Sequence, residues 1–184
     1  MNAVSGSAAS NEVHQQLLET LGCDATFDGF YAAMGTDVEL RLVSGWARRG
    51  AETYSLFFDA VTSSGVSRYV LKVCVAGYGG HSSTVDRWIE RRSAIAEADV
   101  QVPTLVVRSG AAFCEEHISH TLCEALRRTD ADVGLLIRSL AVTLRTLQDL
   151  GFNPCRLDDL RSRGMDVVVV DFGADLTLRW DEDL

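Results

Sequence analysis

Of the 17 lysines and arginines in the chain, Lys72 alone is lysine. It sits inside Arg68-Tyr69-Val70-Leu71-Lys72-Val73-Cys74-Val75, a short apolar run with a cation in its middle. A compact ammonium on a flexible stem can reach a phosphate from inside a strand, where the wide planar fork of arginine is a different tool. The same residue also reads as a lysine snorkelling out of an edge strand. A glycine-rich phosphate cradle is thinly represented. Gly45 and Gly50 flank Trp46-Ala47-Arg48-Arg49, with neither G-x-G-x-x-G nor G-x-x-x-x-G-K-[ST] spacing. The five cysteines contain no C-x-x-C pair, so neither a zinc site nor a disulfide framework is expected, and a reducing compartment is. Cys74 and Cys114 lie in apolar runs and read as small hydrophobes.

The elements that would position Lys72 follow from periodicity. Asn11 caps a helix with Val13, Leu17, Leu18 and Leu21 at helical spacing and Gly22 as its stop. Residues 38–43 alternate as a strand, 44–50 read as a turn, and 53–58 as the returning strand. A second turn at 62–67, containing Gly65, leads into the Lys72 strand, giving an antiparallel meander. Ser82 to Thr84 offer caps for a helix to about Ala98, burying Val85, Trp88, Ile89, Ile95 and Ala96. Strands at 104–107 and 111–114, a polar connector at 115–120 and a short helix at 121–128 follow. The longest helix starts near Asp132 on a stripe of Val133, Leu136, Ile137, Leu140, Leu144 and Leu147, and Gly151 stops it. A loop rich in Asp and Arg precedes a buried strand at 166–170 that ends in Asp171-Phe172-Gly173.

Three strands with a central lysine, a helix, two strands, a linker, a long helix, then a strand ending in Asp-Phe-Gly: between about Val38 and Asp175 this order resembles the protein-kinase-like fold, including its aminoglycoside-phosphotransferase branch. The resemblance implies an α+β, two-lobed architecture with a five-stranded antiparallel sheet and one helix in the first lobe, and a truncated, mainly helical second lobe. Residues 1–10, small and polar, read as a tail, and the resemblance implies one minimal domain at 11–184. Within that domain 11–36 is a helical extension, 37–114 the first lobe, 115–120 the hinge and 121–184 the reduced second lobe. It further implies ATP and Mg2+ as cofactors. Lys72 stands where the family's lysine meets the α- and β-phosphates, and Glu90 where an acid pairs with that lysine, with Glu97 as competitor. Gly45 and Gly50 would border the phosphate loop. The backbone carbonyl of Glu116 and the N–H of Ile118 would hold adenine. Asp171 matches the magnesium-binding aspartate, although a carboxylate capping the turn after Val170 is the plainer alternative.

The chain departs from that pattern where the catalytic loop is expected. The sequence there is Asn153-Pro154-Cys155-Arg156-Leu157-Asp158-Asp159-Leu160, with no His-Arg-Asp or His-Gly-Asp. Counted back from Asp171, Asp158 or Asp159 takes the place of the second metal ligand and no conventional base is present. Counted from Asp159-Leu160-Arg161, Asp159 is the base and Gly164 replaces the asparagine. The first register is preferred, with Asp159 assisting at the metal. Phosphoryl transfer relies chiefly on positioning and charge neutralisation, so a missing base weakens an enzymatic reading without ending it. The resemblance therefore implies a minimal ATP- and Mg-dependent phosphotransferase acting on a protein Ser/Thr, similar to small bacterial effector kinases. The alternatives are an inactive pseudokinase-like binding module and a transferase of AMP.

Composition sets outer limits. A formal net charge of −9 and 47% hydrophobic residues describe a packed acidic domain that repels polyanions, which argues against nucleic acid as partner. No apolar run is long enough to span a bilayer, and residues 1–10 lack the charged-then-apolar order of a secretory signal. A cytoplasmic protein, or an effector delivered into a host cytosol, is expected, with ATP and a protein as partners. The chain ends 11 residues after Gly173, which leaves no room for a long activation segment or a peptide-docking subdomain.

Overall fold

The computed structural model describes residue 15 and residues 24–34, 38–49, 53–74, 81–110, 112–127, 132–153 and 157–173. The chain divides into two compact units, one drawn from Met1–Val85 with Thr104–His117, the other from Asp86–Pro103 with Ile118–Leu184. Among the described residues the architecture is α+β, with a five-stranded antiparallel sheet, a three-stranded sheet and four helices.

The first unit is a sheet covered on one face by helix α1 (Asp24–Met34). Its strands are β1 (Glu39–Arg49), β2 (Thr53–Thr62), β3 (Gly65–Cys74), β4 (Leu105–Ser109) and β5 (Ala112–Glu116), in the order β1-β2-β3-β5-β4, all antiparallel. The β2–β3 hairpin closes in two residues, and Gly65 takes a φ of +143° that a side chain would resist. Period-two alternation then sorts the two faces. Leu40, Leu56, Phe58, Ala60, Leu71 and Cys114 are buried together with Phe30 of α1. Phe30 meets the Tyr31 and Phe58 rings at 5.4 and 5.8 Å. The opposite face carries two cross-strand rows, Ser55–Lys72–Phe113 and Phe57–Val70–Glu115. Lys72 is thus on the middle strand of five, and the snorkelling edge-strand reading falls away. Helix α2 (His81–Glu97) follows β3 in sequence and precedes β4, the arrangement that the resemblance to kinase-like first lobes implies.

Two expectations for this unit are corrected. The turn expected at 44–50 is strand: β1 continues to Arg49 through register shifts between Leu42 and Ser44 and between Ser44 and Ala47. Such bulges let a strand absorb polar and glycine residues while its ladder resumes beyond them. The connector expected from Glu115 also fails, because β5 includes Glu115 and Glu116. A carboxylate can sit in a buried strand when a cation pairs with it, and Lys72 does so. The helix expected from Asn11 lies outside the described residues except for Gln15, which is helical.

The second unit holds α2 from Asp86 onward, α3 (Leu122–Arg127), α4 (Val133–Asp149) and a sheet of β6 (His120–Thr121), β7 (Leu160–Arg163) and β8 (Asp166–Val169). Helix α2 ends in a Schellman motif: Val100 N donates to Ile95 O, Asp99 N to Ala96 O, and Asp99 takes φ 60°. Its inward residues Val85, Trp88 and Ile95 are buried as expected, while Ile89 and Ala96 are half-buried. Helix α4 is capped by Asp132, whose Oδ1 accepts from Leu135 N at 3.1 Å, and is closed by Gly151 at φ 79°. Its buried stripe is narrower than expected, since Leu136, Thr143 and Leu147 are buried but Val133 and Ile137 are 38% and 54% exposed. The Ser139 hydroxyl accepts from Val167 N at 3.0 Å, fixing α4 against β8. The stretch expected as an Asp- and Arg-rich loop contains a 3-10 turn (Leu157–Asp159) and the strand β7. Leu160 and Ser162 of β7 are buried and its two arginines half-buried.

Candidate functional site

In the first unit, Lys72 Nζ lies 2.6 Å from Glu115 Oε1, with side-chain exposures of 14% and 2%. The sheet itself makes this pair. Lys72 sits opposite Phe113 in the β3–β5 ladder and Glu115 two residues further on, so both side chains leave the same face. The ammonium also stands 5.7 Å from the Phe113 ring centroid, within the range of cation–π attraction. Glu115 Oε2 is buried with no hydrogen-bond partner among the described residues. A compact, fixed positive charge on a largely apolar face suits an anionic ligand.

In the second unit, the carboxylate of Asp171 follows β8. Its Oδ1 accepts from Gly173 N at 2.9 Å, so the turn-capping alternative is realised, and the residue is exposed. Phe172 is fully buried, with its ring 5.4 Å from Trp88 and nearly perpendicular to it. Arg91 Nη1 donates to both Phe172 O, at 2.9 Å, and Gly173 O, at 2.7 Å. Trp88 and Arg91, one helical turn apart on α2, thus hold the Asp-Phe-Gly turn by its ring and its carbonyls. Asp159 is buried, and its carbonyl accepts from Val170 N at 2.9 Å, which ties it to the residue before Asp171. Asp159 immediately precedes β7, whereas Gly164 (φ +63°) forms the β7–β8 turn and Asp158 is exposed.

The other expected residues are distributed as follows. Glu90 and Glu97 are exposed on α2. Gly45 lies in the bulged part of β1, where an added Cβ would meet nothing within 4 Å. Nothing there requires glycine, and it borders no tight loop. Gly50 lies outside the described residues. Glu116 ends β5, its N–H donating to Thr104 O and its Oε2 accepting from the Thr104 hydroxyl at 3.0 Å. Ile118 is buried and belongs to the second unit. A cavity of about 550 Å3 in the first unit is lined by Met34 of α1 and by Tyr69, Glu116 and His117 among others, and Lys72 is not among its lining residues.

Among the described residues no group of three or more His, Cys, Asp or Glu could enclose a metal. Mg2+ is usually held by one or two carboxylates and completed by substrate phosphates, so a magnesium site does not require such a group. Cys74 and Cys114 are buried, and burial pushes the Cys114 thiol well above its usual range, which keeps it protonated. Two contributors escaped the sequence reading. Glu115 reads there as connector, although an acid ending the apolar run Ala112-Phe113-Cys114 is itself a sign of a buried counter-charge. Arg91 gives no sign beyond lying next to Glu90. Among the described residues, no helix is long and apolar enough to cross a membrane.

No family model matches the chain, and no curated protein matches it either. Among solved structures, the chain is similar to a ternary complex of streptomycin, ATP and APH(2'')-IIa, at 14% identity and a TM-score of 0.38, covering 95% of this chain and 72% of that one. It is also similar to the ADP-bound aminoglycoside phosphotransferase APH(2'')-Ib, at 13% identity and a TM-score of 0.39, covering 88% and 70%.

Proposed function

We propose that this chain is a minimal ATP- and magnesium-dependent phosphotransferase whose acceptor is a protein hydroxyl. The observation that carries the reading is Lys72, the sole lysine of the chain, held by a buried carboxylate on the middle strand of a five-stranded sheet in kinase-like order. In this reading Lys72 binds and orients the phosphates of ATP, and Asp171 and Asp159 hold magnesium. The ion supplies neutralisation of phosphate charge when bound. Trp88 and Arg91 keep Asp171 in place by clamping the turn that follows it. Asp159, directly before β7 and tied to Val170 through its backbone carbonyl, takes the place of metal ligand in this reading because the count back from Asp171 puts it there. The acidic surface favours a protein or small-molecule acceptor over nucleic acid. The setting is the cytoplasm, or a host cytosol if the protein is delivered as an effector.

Transfer of γ-phosphate from labelled ATP tests the assignment. Lys72→Met and Asp171→Ala are each expected to lower the rate by at least ~100-fold, because each removes charge stabilisation specific to the transition state. Unchanged transfer in both variants would contradict it. One observation favours a second reading, a nucleotide-binding module without turnover: the segment before Asp159 carries no His-Arg-Asp pattern. In that case biological function survives Asp171→Ala while the fold stays intact.

A further inference from the structure

The carboxylate beside Lys72 comes from an unexpected place. Glu115 is 1% exposed, one of its oxygens lies 2.6 Å from the ammonium, and the other is buried with no hydrogen-bond partner among the described residues. A carboxylate removed from water to that extent depends on its counter-ion. Both partners stand on adjacent strands whose ladder fixes their separation, and the Phe113 ring lies against the ammonium. Side chains held this way by rigid elements are placed more precisely than those on mobile ones. Glu90, by contrast, is solvent-exposed on α2.

We infer that Glu115, a strand carboxylate, is the positioning residue for Lys72 in place of the helix acid Glu90. What the ammonium is aimed at rests on the nucleotide reading above; the pairing does not. The consequence is a lysine held ready for an anionic phosphate without any contribution from Glu90.

Because Lys72 is the only lysine, selective 15N-lysine labelling yields a single side-chain ammonium resonance. Glu115→Gln is expected to shift that resonance and to speed exchange of its protons by at least ~10-fold, since the protecting ion pair is gone. Glu90→Gln is expected to leave it in place. Should Glu115→Gln fail to fold, Glu115→Asp, which keeps the charge but shortens its reach, is expected to give an intermediate exchange rate. A resonance that responds to Glu90→Gln, or that ignores both Glu115 substitutions, overturns the inference. Titrating ATP with Mg2+ against the same signal separates the two ideas. Affinity at least ~10-fold weaker in the Glu115 variant and unchanged in Glu90→Gln supports the positioning role. Equal affinity in all three proteins overturns it. A wild-type protein that binds no ATP contradicts the nucleotide reading, while the resonance still decides which acid holds Lys72.

Discussion

At the scale of single residues, the Lys72–Glu115 pair has a thermodynamic consequence separate from any ligand. Removing one member of a buried ion pair strands the other, typically at a cost of about 3–5 kcal/mol. Lys72→Met is therefore expected to destabilise the fold by that order, and Lys72→Met/Glu115→Gln to recover much of the loss in urea denaturation. Additive losses in the double variant would show that the two side chains do not depend on each other. Loss of activity in Lys72→Met is therefore to be measured beside its stability. Lys72 was legible in the sequence because composition isolates it. Its partner was not, because what makes Glu115 a partner is the register of β5 on β3, and no local pattern encodes which residues of two strands face each other.

At the scale of elements, the most consequential contacts come from α2. Arg91 donates to two carbonyls of the turn after Asp171. Hydrogen bonds from a charged donor contribute about 1.5–3 kcal/mol, so Arg91→Ala is expected to cost about that in denaturant unfolding. In the proposed phosphotransferase reading its kcat falls with it, since the turn carries Asp171. Wild-type stability in Arg91→Ala would mean that the Trp88–Phe172 contact holds the turn alone. On α1, burial pushes the Tyr31 phenol up to about 12 from its ordinary value of 10.0. The neutral ring is the form the fold accommodates. Its contribution is therefore fully present below pH 10 and is lost as pH rises through 10 towards about 12. Tyr31→Phe is expected to flatten that alkaline loss of stability, and an unaltered pH profile would contradict the assignment. Elements with strong punctuation were readable. The β2–β3 hairpin announces itself through Gly65, and α4 through Asp132 and Gly151. Strand β7 was hidden because its alternation pairs Leu160 and Ser162 with arginines. The length of β1 was hidden because bulges carry a strand across residues that spell a turn.

For the molecule as a whole, the element order is what the sequence carried best: a meander, a helix, two strands, a long helix and a strand ending in Asp-Phe-Gly. Each of those pieces is present in the structure. The acidic surface, with a formal net charge of −9, means that an anionic ligand has to be drawn in by a local positive site rather than by the global field. Lys72 is the positive charge we propose for that task. The most direct test is thermal unfolding of the full chain with ATP, in the presence and absence of Mg2+. With ATP at ~100 times its dissociation constant, the folded state is expected to gain about 2.7 kcal/mol. The gain should be larger with Mg2+ than without and should disappear in Lys72→Met/Glu115→Gln. No nucleotide-dependent stabilisation under either condition would contradict the account at its centre.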